Sequence, residues 1–151
     1  MRRLLGHAHR GKDGAAAVEM AVVLPILIML VFGIVAFGIA FAQELALNNS
    51  ARQGARLGVV QARTCADITS EVRDAVDTIG LNSAAVTVTT TRGANKAGAT
   101  SPCSLTSVCE GSTPGDNLYV TASHAVTITI PLVFDGSRTL VGEGAFRCET
   151  S

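Results

Sequence analysis

The chain has 151 residues, and its 12 basic and 12 acidic residues give a net charge of zero. This balance argues against a nucleic-acid-binding protein, which usually carries a basic face. Only 16% of the residues are charged and 48% are hydrophobic, whereas soluble domains usually have about a quarter charged. All fifteen threonines lie at or after Thr64. The chain therefore has two chemically different halves, which excludes one uniform globular fold.

Residues 20–42 form an apolar run without a formal charge. A helix of this length extends about 34 Å, enough to cross a hydrocarbon core of about 30 Å. A buried helix of a soluble protein is the alternative. The 88 residues from Thr64 onward are too few to surround a helix that is apolar on all sides. The run is therefore predicted to span a membrane.

The charges of residues 1–14 predict the orientation of the run, because this segment has four basic residues and one acidic residue: Arg2, Arg3, Arg10, Lys12 and Asp13. The positive-inside rule places the N-terminus in the cytoplasm and translocates everything after Ala42. A conventional signal peptide, which is removed, is the alternative, but its apolar region is only about 7–15 residues long. Its nearest cleavage motif, residues 40–42, is followed by a continuing helical pattern.

The helical pattern continues through residues 43–60, which contain no proline. Small residues recur at every fourth position across the end of the apolar run: Gly38, Ala42, Ala46, Ser50, Gly54 and Gly58. Residues four apart lie on one helix face, and a ridge of small residues lets another helix approach closely. The alternative is chance in a chain rich in Ala and Gly. A functional ridge would pack against copies of this chain or close relatives.

A distinct pattern surrounds the start of the apolar run. A basic leader ends at Gly14, three alanines and Val18 follow, and Glu19 stands immediately before the run. This pattern resembles the class III signal of type IV pilins, which a membrane aspartyl peptidase cuts after the glycine on the cytoplasmic side. The resemblance implies cleavage between Gly14 and Ala15 and a mature chain of 137 residues. Glycine suits such a site because a backbone without Cβ enters a tight cleft in extended form.

Glu19 places a carboxylate at the mouth of an apolar span, where a charge is costly and usually has a partner. It is the fifth residue of the proposed mature chain. The pilin resemblance implies that it pairs with the N-terminal amine of a neighbouring subunit. The alternative is a glutamate at the membrane interface that favours the positive end of the helix dipole.

Three segments make the resemblance specific to one family: residues 15–25 (AAAVEMAVVLP), the glycine-containing apolar run and residues 50–56 (SARQGAR). They are similar to the TadE-like family, which comprises minor pilins or pseudopilins of the tight-adherence (Flp) pilus system. The similarity covers about residues 11–60 well. It extends loosely to a β-rich C-terminal domain whose last strand carries a basic residue, here Arg147. A mature chain of 137 residues is too long for a major Flp pilin, which implies a minor role.

The sequence divides into a leader (residues 1–14), a long helix (15–62) and an α+β head (63–151). Thr64 is predicted to cap a short helix that ends at Gly80. Its apolar face would contain Ile68, Val72, Val76 and Ile79. Alternating Val or Ile with Thr predicts antiparallel strands at 85–89 and 125–130, and residues 118–123 lead into the second of them. A turn at 135–137 leads to a last strand at 140–148. Residues 92–117 are predicted to be a long loop, and residues 142–144 a strand irregularity.

All four cysteines lie in the head: Cys65, Cys103, Cys109 and Cys148. An even number in a small exported domain predicts disulfides. Three pairings are possible. We favour Cys103 with Cys109, which share one loop, and Cys65 with Cys148. A zinc site that includes His124 is the alternative, but the sequence has no CxxC pair.

No enzyme motif is evident, because residues 123–124 lack the setting of a nucleophile and the acidic residues are scattered singly. The sequence predicts a structural protein without a cofactor in the bacterial cytoplasmic membrane. Expected partners are the prepilin peptidase, other pilins, pilus assembly platform proteins and membrane lipid, and no nucleic acid. A pseudopilin of a secretion system is an alternative of the same class. An unprocessed membrane-tethered protein, whose head binds a ligand through residues 92–117, is the alternative from another class.

Overall fold

A computed structural model describes residues 13–60, 63–78, 81–130 and 134–149. Its elements in chain order are helix α1 (Asp13–Val60), helix α2 (Cys65–Asp77), a 3₁₀ turn (Ser83–Ala85) and strands β1 (Thr87–Gly93), β2 (Asn117–Ile130) and β3 (Phe134–Arg147). The predicted α+β class, with one long helix before a small antiparallel sheet, is confirmed. Residues 1–12 of the predicted leader, and Ile79 and Gly80 of the predicted second helix, lie outside the described residues.

Helix α1 has 48 residues, and every residue from Gly14 to Phe32 is exposed. Every large apolar side chain from Val18 to Phe41 is exposed. The most apolar 18-residue window has a mean hydropathy of 3.0 and is 0% buried. Within the described residues α1 is the one helix long and apolar enough to cross a membrane. It fits a single-pass membrane protein.

The last third of α1 is built into the head. Its buried residues recur every three or four positions along one face: Leu47, Ser50, Ala51, Gly54, Ala55 and Gly58. This spacing follows the 3.6-residue helical repeat, so one continuous stripe of the helix packs against the sheet and α2.

Helix α2 begins with a capping box. The backbone amide of Asp67 donates to the Thr64 hydroxyl oxygen (3.3 Å), and the backbone amide of Thr64 donates to the Asp67 carboxylate (3.0 Å). Two amides without a helical partner are thereby satisfied. The predicted cap is therefore present. Ile68, Val72 and Val76 form the buried face, as predicted.

The sheet has the order β1-β2-β3, and both pairs are antiparallel. The register of β2 and β3 is continuous from Asn117↔Arg147 to Ile130↔Phe134. Residues 135–137 pair with 127–129, so the prediction of a turn there is wrong. Pairing with β2 outweighs the turn composition of Asp-Gly-Ser. Residues 142–144 lie in the same regular register, so the predicted strand irregularity is also wrong.

The disulfides join Cys65 to Cys103 and Cys109 to Cys148, with Cα–Cα distances of 5.3 and 5.6 Å. The pairing that we favoured is wrong, although the prediction that all four cysteines are oxidised is confirmed in the structure. The cause is the path of the loop after β1. The Val108 amide donates to the Arg63 carbonyl (2.9 Å), and the loop thereby runs between the start of α2 and the end of β3.

Candidate assembly and processing site

Among the described residues, nothing packs against the N-terminal end of α1. Gly14 lies in the first helical turn, and a Cβ built on it would have no neighbour within 4 Å. Ala15 is exposed as well. A peptidase that needs an extended substrate has to unwind this first turn, which is the least stable part of a helix because its amides lack helical partners. The described structure leaves the Gly14–Ala15 bond sterically accessible.

Glu19 lies about 7.5 Å from Gly14 along the helix axis, at a rise of 1.5 Å per residue. Its side chain is exposed, and it has no hydrogen-bond or ion-pair partner within the described part of the chain. The next residues are the start of the exposed apolar surface. A carboxylate at the edge of such a surface needs an external partner once the helix is covered. Gly14 and Glu19 are therefore both accessible to other molecules in the described structure.

The six residues of the small-residue ridge divide into two groups. Ser50, Gly54 and Gly58 are buried against the head of the same chain, whereas Gly38 and Ala42 are exposed and Ala46 is half-buried. A Cβ on Gly54 would lie within 3.0 Å of the Val72 side chain, and one on Gly58 would lie as close to Leu118 and Ile68. The second half of the ridge thus packs α1 against its own head. Packing of the ridge against another helix stays a prediction. Only the first half of the ridge is free to make such a contact in the described structure.

Sequence reasoning missed the role of Gly142 and Gly144. A Cβ on Gly142 would lie within 3.0 Å of the Leu47 and Asn48 backbone, and one on Gly144 equally close to the Ala51 backbone. Two glycines two residues apart lie on the same face of a strand, and a glycine within a strand often marks a close backbone approach. The two-residue spacing of these glycines was the feature of the sequence that could have predicted the close approach.

Between these glycines the Glu143 backbone amide, on the outer edge of the sheet, donates to Asn48 Oδ1 (3.1 Å). The exposed Glu143 carboxylate pairs with Lys96 of the loop after β1. Helix α1 therefore contacts the backbone of β3 and also satisfies one of its edge amides. These contacts fix the position of the long helix relative to the head.

The loop after β1 is held at several points. Arg92 Nη1 donates to the carbonyls of Val108 (2.9 Å) and Glu110 (2.7 Å), and Arg92 and Thr100 exchange two backbone hydrogen bonds. The Asp116 carboxylate accepts the Thr113 amide (2.9 Å), and this hydrogen bond lowers the pKa of Asp116. With the two disulfides, these contacts make the loop a fixed cover over the end of the core.

Within the described residues, no group of three His, Cys, Asp or Glu side chains could hold a metal ion. The four cysteine sulfurs form disulfides and cannot ligate zinc. The Asp67 carboxylate has a lowered pKa because it accepts hydrogen bonds from the Thr64 amide and hydroxyl. The lowered pKa of Asp67 is thus a consequence of its role in the N-terminal cap of α2.

Residues 14–56 match the family model described as "TadE-like protein", which confirms the resemblance found in the sequence. The match begins at the glycine of the proposed cleavage site and covers most of α1. No curated protein and no solved structure matches the chain significantly. The TadE-like family suggests a protein associated with the tight-adherence (Tad) pilus, and the match to it covers 43 of the 151 residues.

Proposed function

We propose that this chain, whose long N-terminal helix matches the TadE-like family, is a minor pilin or pseudopilin that takes part in assembling a tight-adherence type IV pilus. One observation carries the proposal. The family match covers residues 14–56 and starts at Gly14, and the same helix exposes every large apolar side chain from Val18 to Phe41. The residues of the helix that the head buries fully all lie in its last third.

The exposed part of α1 suits two successive environments. In the membrane, lipid chains would cover the apolar surface. In a filament, the helices of other subunits would cover it, and the exposed Gly38 and Ala42 would allow close helix contact. The head, stabilised by two disulfides, would remain outside the apolar layer in both cases.

Processing by a prepilin peptidase would make the chain competent for assembly. Cleavage after Gly14 would remove the basic leader and create a positively charged amine on Ala15. In one helix this amine lies about 6 Å along the axis from Glu19. Between neighbouring helices displaced along their axes, the amine of one subunit and the Glu19 carboxylate of another could meet in a medium of low dielectric constant. There an ion pair is far stronger than in water, and an unpaired charge is costly.

The charge of Glu19 would therefore select one axial displacement between subunits. Glu19→Gln keeps the size and hydrogen-bonding capacity of the side chain and removes its charge. We expect the variant to be inserted, because a neutral side chain costs less in the membrane. We also expect it to lose co-purification and cross-linking with partner pilins.

Glu44→Gln is the matched control, because Glu44 is an exposed glutamate of the same helix beyond the apolar run. It should associate with partners as the unchanged protein does. The amount of membrane-bound chain is measured in parallel, and partner capture is compared at equal amounts. Equal capture by the Glu19 and Glu44 variants would show that Glu19 has no role in assembly.

A further inference from the structure

Strands β2 and β3 extend beyond the rest of the sheet. Strand β1 pairs with β2 only as far as Thr87↔Ser123, whereas β2 and β3 stay paired to Ile130↔Phe134. Residues 124–129 and 135–140 therefore form a two-stranded segment, which we call the ribbon. Both outer edges of the ribbon lack a neighbouring strand in the described structure.

The ribbon runs beside the apolar part of α1. The two elements line one groove, which contains Ala36, Ala40 and Gln43 from α1 and His124, Val126 and Ile128 from β2. Glu44 of α1 lines a second groove with residues 137–141 of β3. From Glu44 back to Ala36 the helix rises about 12 Å, and four strand residues cover about 13 Å. The ribbon thus lies alongside the last two turns of the run predicted to span the membrane.

The ribbon is unsuited to the hydrocarbon core. Its free edges expose backbone amides and carbonyls, and each unsatisfied group costs several kcal/mol there. Asp135 and Arg138 are exposed on β3, and a charged side chain within the core is also costly. Asp135 accepts a hydrogen bond from the Thr129 hydroxyl (3.2 Å). Arg138 has no ion-pair partner within the described residues and suits a lipid phosphate.

We propose that the ribbon rests in the lipid headgroup layer and sets the depth of α1 in the bilayer. The hydrocarbon boundary on the side of the head then falls near Ala36, about six residues or 9 Å before Ala42. This inference rests on the proposed insertion of α1 in the membrane. It adds a second lipid contact, made by the head, and identifies the bilayer surface as the partner of the ribbon.

The shifted boundary changes the environment of Glu19. A hydrocarbon core of about 30 Å takes about 20 helical residues, so a core that ends at Ala36 begins near Ala17. Glu19 then lies inside the hydrocarbon edge. The ribbon would thereby hold this carboxylate at a depth where it needs a countercharge from another subunit.

Cysteine labelling tests the position of the boundary. Because all four native cysteines are in disulfides, one introduced cysteine is the only free thiol in the described chain. Leu30, Phe41 and Leu45 have exposed fractions of 58%, 75% and 60% and do not line the groove beside the ribbon. Each is replaced by cysteine in the full chain, reconstituted in phosphatidylethanolamine–phosphatidylglycerol vesicles and treated with a membrane-impermeant maleimide. Labelling is normalised to Leu45→Cys, which corrects for heads enclosed in the vesicle lumen.

We expect Phe41→Cys to be labelled as Leu45→Cys is, and Leu30→Cys to be protected. A boundary at Ala42 predicts instead that Phe41→Cys is protected like Leu30→Cys, and that result overturns the proposal. Flotation with the vesicles is measured first. A chain that fails to float refutes membrane insertion itself, which separates the two failures.

A fluorescence measurement tests the lipid contact directly. A bimane is placed on Thr127→Cys in the ribbon and on Thr89→Cys in β1, two exposed threonines on strands of the same sheet. Lipids brominated high on the acyl chain should quench the bimane at position 127 and leave that at 89 unaffected. Equal quenching at both positions contradicts the proposal, and so does the absence of quenching at both. Absence of quenching would leave the ribbon free to contact a neighbouring subunit.

Discussion

Replacing Gly144 with alanine tests the contact that fixes the long helix on the head. A Cβ at this position would lie within 3.0 Å of three backbone atoms: the Ala51 carbonyl carbon and oxygen and the Arg52 nitrogen. A flexible side chain could move aside, but the backbone of a helix cannot without shifting the helix. The variant should therefore separate α1 from β3 locally and weaken the head.

The expected magnitude follows from two opposing effects. Overpacking of this kind costs about 1–3 kcal/mol. Replacing glycine by alanine also restricts the unfolded chain, which stabilises a protein by about 0.5 kcal/mol where the new side chain fits. The net loss is about 0.5–2.5 kcal/mol, which corresponds to about 2- to 60-fold in an opening equilibrium.

Amide hydrogen exchange of residues 118–122 in the full-length protein measures this opening equilibrium. Those amides lie in β2, next to the strand that carries the substitution. The matched control is Gly98→Ala, because the nearest atom to a Cβ there is Asn95 Oδ1 at an ordinary 3.4 Å. The control should exchange at the wild-type rate. Exchange of Gly144→Ala at or below the wild-type rate would refute the close approach of the helix to the strand.

Two further predictions concern the head. Non-reducing peptide mapping should yield Cys65 joined to Cys103 and Cys109 joined to Cys148; each bond spans 38 or 39 positions and contributes about 4 kcal/mol in the chain-entropy estimate. A peptide that joins Cys103 to Cys109 would contradict this pairing. Hydrogen bonding lowers the pKa of Asp67 in the folded state, so its contribution to stability is present above the unfolded pKa and is lost as the pH falls through the folded pKa. Asp67→Asn should therefore lower the melting temperature at neutral pH but not in strong acid; an equal loss at both pH values would show that the carboxylate charge is irrelevant.

Features that depend on neighbouring residues in the chain could be predicted from the sequence. The exposed apolar helix follows from an uninterrupted run, and the cap at Thr64 follows from Thr and Asp three positions apart. The buried face of α2 follows from helical spacing, and the second half of β2 follows from alternation. The candidate site residues Gly14 and Glu19 were proposed in the same way, because their signal lies in one short segment.

Features that depend on distant parts of the chain could not be predicted. Proximity in sequence favoured joining Cys103 to Cys109, but the path of the loop brings each to a cysteine at least 38 positions away. The segment 135–137 has the composition of a turn, yet it continues a strand because 127–129 lie opposite it. The second half of the small-residue ridge looked available to other subunits, since nothing in its pattern shows that the head of the same chain covers it.

The central claim is that α1 is a processed pilin helix, and the N-terminus of the membrane-bound protein tests it most directly. Intact-mass analysis should find a chain that begins at Ala15 and has 137 of the 151 residues. Gly14→Leu should keep the full-length mass, whereas Gly33→Leu, also a helical glycine with open space around it, should be processed normally. A wild-type chain that begins at Met1, or normal trimming of Gly14→Leu, would contradict the account and favour an unprocessed membrane tether.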